Sequence, residues 1–116
     1  MSDPLYPPFS SASARKRAAF APEPLAAFKA FSESVFADGA LPRKTKELIA
    51  VVAAHITQCP YCIRGQTAAA LKNGASEQEI MKAIWVATEM RAGAAYAHST
   101  LAIEAMNRSQ GSQPHA

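Results

Sequence analysis

No run of this 116-residue chain is apolar for long enough to cross a membrane. The longest dense stretch, Leu48 to Ile56, is nine residues, less than half of the roughly 20 that a spanning helix requires. The opening from Met1-Ser2-Asp3-Pro4 to Pro7-Pro8 has neither a basic start nor an apolar core, which argues against a secretory signal and makes the cytoplasm the expected location. Basic charge is thin: the formal net charge is +3, and the Arg15-Lys16-Arg17 cluster sits in a Ser- and Ala-rich arm. That pattern is a solvated segment, not a nucleic-acid footprint. Strand-like alternation is missing as well, so the expected fold class is all-α.

Cysteine is scarce. Cys59 and Cys62 are the only two, and they make the only CxxC spacing. A structural bridge is excluded on magnitude, because a four-residue loop removes little entropy from the unfolded chain, and a reducing compartment would keep such thiols open. A structural zinc site needs four ligands, and beyond the pair the soft candidates are His55, His98 and His115, with no second CxxC and no HxxxH. No metal and no bound cofactor is therefore expected.

What is present is helical periodicity in a chain of single-domain size with 49% hydrophobic residues. Residues 1–21, rich in Pro, Ser and Ala, read as an irregular arm whose Tyr6 and Phe9 could latch onto a neighbouring surface. From Pro22, Leu25, Phe28, Phe31, Val35 and Phe36 recur at helical spacing until Asp38-Gly39 stops them. Pro42 can open a second helix, apolar almost all round, with Leu48, Ile49, Val52 and Ile56 as its stripe. Pro60 ends that helix and opens a third over about 60–73, which Gly74 can close. Ser76-Glu77-Gln78-Glu79 is a capping box for a fourth, carrying Ile80, Ile84, Ala87 and Arg91 until Ala92-Gly93 interrupts it. A fifth, Ala-rich helix follows over about 94–107. The helical domain thus spans 22–108, and 109–116 read as a disordered tail. Helices two and four carry more apolar surface than so small a domain can cover, which points to self-association.

The CxxC falls at a helix start, with Cys59 at the N-cap and Cys62 one turn in. Unpaired amides and the positive end of the helix dipole favour a thiolate there. A sulfenic acid on one sulfur can be captured by the other as a disulfide, the minimal machinery of a dithiol peroxidase or disulfide reductase. Glu47 and His55, slightly over two helical turns apart, share a broad face leading toward Cys59. A carboxylate that orients an imidazole near a thiol can move a proton off sulfur, although a solvated Glu47 and a core-packed His55 are the plain alternatives. Gln66, four residues after Cys62, can orient water or peroxide but cannot act as a base. Tyr61 can donate a hydrogen bond near the thiols or pack as an aromatic.

The run Glu47 to Ala97, "ELIAVVAAHITQCPYCIRGQTAAALKNGASEQEIMKAIWVATEMRAGAAYA", resembles the carboxymuconolactone decarboxylase and alkylhydroperoxidase D superfamily. The order of its motifs carries the likeness: Glu, eleven residues, CxxC, then a capped helix with an "IW" pair and "RAG". The resemblance implies a helical bundle of five to six helices that assembles as trimers or hexamers, and thiol peroxidase activity in the CxxC branch. It matches the family's acid to Glu47 and the reactive pair to Cys59 and Cys62. Family precedent gives Cys62, expected to lie deeper, the attack on peroxide, and the more exposed Cys59 resolution and exchange with a dithiol reductant of thioredoxin or lipoyl type. The family commonly places a relay His where this chain has Gln66. The alternatives are a muconolactone-type decarboxylase, which would need a cationic site for a carboxylate and no CxxC, and a non-catalytic redox-sensing oligomer.

Overall fold

The computed structural model describes residues 5–111. Its elements are all helices: α1 (Ser11–Phe20), α2 (Pro22–Phe36), α3 (Arg43–Thr57), α4 (Pro60–Lys72) and α5 (Glu77–Ser109). His115, most of the expected tail and residues 1–4 lie outside the described residues.

Two expectations are corrected. The arm over 1–21 is not irregular throughout, because Ser11–Phe20 forms α1. The Ser10 side chain accepts from the Ser13 amide as N-cap, and the Ala-, Arg- and Lys-rich stretch behind it contains good helix formers. Ala21 ends α1 with an extended φ of −148°, as a residue preceding proline prefers. The second correction is at Ala92-Gly93, where α5 continues without a break to Ser109. A glycine keeps its amide donor and costs a helix only about 1 kcal/mol, which the surrounding turns absorb.

Helix α3 is the centre, packed against both α4 and α5. Val51, Ala70, Ala75 and Ile80 form the dry core where the three meet, with Leu48 and Ile84 against it. The capping box fixes the start of α5: the Ser76 hydroxyl accepts from the Glu79 amide at 3.0 Å, and the Glu79 carboxylate accepts from the Ser76 amide at 2.8 Å. Lys44 reaches across from α3 to Glu79 at 2.9 Å. Helix α2 hangs from the start of α3 by polar contacts. Lys46 Nζ donates to the Val35 and Ala37 carbonyls at 2.8 and 2.7 Å, and the Asp38 carboxylate accepts from the Arg43 amide at 2.6 Å.

One chain does not close on itself. The radius of gyration is 20.8 Å, where a compact chain of this length would measure about 13 Å. Phe28, Phe31 and Val35 on α2, and Met81, Trp85 and Met90 on α5, stand exposed. The surplus apolar surface expected from the sequence is therefore present, on two separate faces.

Candidate active site

The dithiol turn is set up by the residue before it. Gln58, at the end of α3, takes the left-handed conformation (φ 57°, ψ 45°), which residues carrying a Cβ seldom adopt. Both its amide and that of Cys59 fall on the Ala54 carbonyl, closing α3. This reversal over one residue allows Pro60 to begin α4 almost at once, at a position where its missing amide proton is not needed. Sequence reasoning passed over Gln58. Its only signal is its place between the last apolar turn and Cys59-Pro60.

Cys59 is the N-cap of α4, extended at φ −98°, and its Sγ accepts from the Cys62 amide at 3.2 Å. A hydrogen bond with the Cys62 thiol, and then this amide bond, hold the Cys59 thiol below its ordinary value. The same thiol–thiol bond, with desolvation and the charge on Cys59, pushes Cys62 up. The two residues differ in exposure, in the opposite sense to the expected one: Cys59 is half-buried and Cys62 exposed. The N-cap residue is drawn back onto the end of α3 by its amide bond to Ala54.

Cys62 and Gln66 form one wall of a cavity of 210 Å³, and Ala50, Ala53, Ala54 and Thr57 of α3 form the other. Among the described residues, its walls carry no charged side chain and no imidazole. Glu47 lies one turn before Ala50 and is buried, with 2% of its surface exposed. Its Oε1 is 3.6 Å from Arg43 Nε, and its Oε2 has no hydrogen-bond partner among the described residues. His55 does not line the Cys62 cavity. Its Nδ1 donates to the Val51 carbonyl at 2.8 Å. Tyr61 takes up aromatic packing, with its ring edge-on to Tyr6 at 5.8 Å and to Phe9 at 5.2 Å between centroids. The structure thus brings Cys59, Cys62 and Gln66 together beside α3, buries Glu47 one turn away, and turns Tyr61 toward the arm. Arg91, read from sequence only as part of a helix stripe, donates through Nη1 to the Ile56 carbonyl at 2.8 Å. It ties α5 to the end of α3 just before the dithiol turn.

Residues 22–105, which hold every element of this site, match the model of the carboxymuconolactone decarboxylase family. The chain belongs to that family. Among curated relatives, uncharacterized protein 4 in the cox locus of Paracoccus denitrificans is 56% identical over 85 residues, covering 73% of this chain and 77% of its own. An uncharacterized protein of Cupriavidus necator is 34% identical over 89 residues, covering 74% and 79%. Among solved structures, a carboxymuconolactone decarboxylase family protein from Legionella pneumophila is similar at a TM-score of 0.66 and 32% identity, over 69% of this chain and 71% of that one. A family member from Thermotoga maritima, for which a part in an antioxidative response is suggested, is similar at 0.53 and 26%, over 71% and 94%.

Proposed function

We propose that this family member is a thiol-dependent peroxidase that reduces small hydroperoxides through a Cys59–Cys62 dithiol and disulfide cycle. The observation that carries the reading is the placement of Cys62 on an uncharged cavity while its amide and thiol both bond to the Cys59 sulfur. A decarboxylase acting on a muconolactone-type acid would need a cation to hold the carboxylate, and the cavity wall supplies none. At 210 Å³ it is smaller than the roughly 300 Å³ where pockets for drug-sized ligands begin, which suits a small peroxide.

The two sulfurs divide the work. With one thiol of the pair ionised, the remaining proton resides on Cys59 as the Cys62 sulfur attacks the outer peroxide oxygen. The O–O bond breaks, Cys62 becomes a sulfenic acid, and the leaving alkoxide takes the proton from Cys59 to depart as an alcohol. The renewed Cys59 thiolate then displaces hydroxide from the Cys62 sulfenic acid and forms the disulfide. Two thiols are oxidised, one peroxide is reduced to an alcohol and water, and an external dithiol of thioredoxin or lipoyl type restores the pair by exchange. Cys59 thereby supplies the base that Gln66 cannot. Gln66 orients the peroxide from the same wall, and buried Glu47 supports the site from one turn away.

The open radius and the exposed faces of α2 and α5 support a homo-oligomer, a trimer or hexamer, in which further copies cover them. Hydroperoxide loss with a dithiol reductant tests the reading: turnover is expected in the natural chain and absent in both Cys59→Ser and Cys62→Ser. Turnover that survives either replacement sinks it. A single disulfide-forming event without steady turnover would instead mark a redox-sensing oligomer.

A further inference from the structure

The segment ahead of α1 is strapped onto Tyr61, one of the two residues between the cysteines. Tyr6 and Phe9 both present ring edges to Tyr61, from positions more than fifty residues away in sequence. Arg17, from α1, lies over the Phe9 ring at 5.4 Å, and Arg64, from the second turn of α4, donates to the Tyr6 carbonyl at 3.4 Å. Three contacts of two kinds therefore converge on the first two turns of α4, Tyr61 is the platform for two of them, and Arg17 braces Phe9 from α1. The strap is only partly buried, with Phe9 71% exposed, so a small rearrangement of its platform can tip the balance between docked and free.

We propose that this strap is a positioning element of the dithiol, holding the Cys59–Tyr61–Cys62 turn in its reduced geometry, so that strap docking and the redox state of the pair are coupled. The inference rests on the dithiol chemistry proposed above. The docked arrangement is the one adopted with both thiols free and with the Cys62 amide bonded to the Cys59 sulfur. Joining the sulfurs requires their approach to about 2.05 Å and a fixed torsion about the new bond. The amide then faces a disulfide sulfur in place of the free Cys59 sulfur, and the turn that carries Tyr61 has to adjust. A platform that shifts on oxidation holds the strap less well. By thermodynamic reciprocity, a docked strap then disfavours oxidation to the same extent.

Two measurements on the full chain test this. The first is the equilibrium constant for disulfide formation against oxidised dithiothreitol, in which two thiols lose two electrons and two protons to the reagent disulfide. In the double variant Tyr6→Ala, Phe9→Ala this constant is expected to rise at least threefold, about 14 mV for a two-electron couple. Alkylation of Cys59 should also need higher pH in that variant. Tyr6→Phe with Phe9→Tyr, which keeps both ring edges, should restore the natural values. The second is amide hydrogen exchange in α1, expected to be faster in the disulfide form than in the dithiol form while the Val51 to Ala54 amides of α3 stay unchanged. Equal constants in the natural chain and the alanine variant, or equal α1 exchange in the two forms, overturn the coupling while leaving the peroxidase reading intact. If the natural chain forms no disulfide at all, the peroxidase reading fails and the coupling fails with it.

Discussion

The amide of Cys62 donates to the sulfur of Cys59 at 3.2 Å, so the two thiols are unequal before any substrate arrives. Cys59 is the better acid because a thiol and an amide of Cys62 both stabilise its thiolate, and Cys62 is the poorer one because that thiolate faces it.

Selective alkylation reads this inequality directly. Iodoacetamide is expected to label Cys59 at lower pH than Cys62, as resolved by peptide mass spectrometry. Removing the acceptor with Cys59→Ala takes away both the thiol bond and the charge that raise Cys62, so the alkylation midpoint of Cys62 should fall. A midpoint that stays in place would show that the pair is not coupled.

The role given to Cys59 as base bears on Gln66 and His55. A missing general base is worth roughly 100-fold or more in rate. With Cys59 already in that role, Gln66→His should raise peroxide turnover by far less. A gain of about 100-fold would show that the base was absent and overturn the assignment. His55 bonds its own helix and lies off the cavity wall, so His55→Gln should leave the pH profile of Cys62 alkylation unmoved.

Stability at the start of α5 rests on the reciprocal bonds of Ser76 and Glu79. Ser76→Ala should cost about 1 kcal/mol in denaturant unfolding. Lys44 and then the Ser76 amide hold the Glu79 carboxyl below its ordinary value. Since the folded value lies below the unfolded one, this stabilisation is complete above the ordinary glutamate range and is lost as pH falls through the lowered folded value. Glu79→Gln should therefore flatten the acid limb of the stability curve, and an identical limb in the two proteins would contradict the pairing.

Assembly is the largest untouched part of the energetics. Sedimentation should give a mass three or six times the 12.3 kDa chain. Phe31, 62% exposed on α2, belongs to a face that further copies should cover. Phe31→Glu removes about 2 kcal/mol of apolar burial per subunit and adds a charge, so both the assembled mass and the melting temperature should drop. An unchanged mass would place the interface elsewhere.

Much of the fold was legible because helix boundaries are local. Pro22 and Pro60 open helices where their missing amide protons are harmless, and the Ser76-to-Glu79 box starts α5 within four residues. The misreadings came where local signals were weak or competed. Ser10 capped a helix in a stretch that looked irregular, and Gly93 looked like a break but cost too little to be one.

The sequence by itself determined the helical class, the family, and the position of the dithiol at a helix start, because each follows from residue types a few positions apart. The tertiary structure alone decided which cysteine is the more exposed, that Glu47 is buried, that His55 stays off the cavity wall, and that Tyr6 and Phe9 meet Tyr61. These depend on how α3, α4 and the strap lie against one another. Depth and contact across more than fifty residues are set by packing in space, which hydrogen-bonding patterns within one turn do not encode.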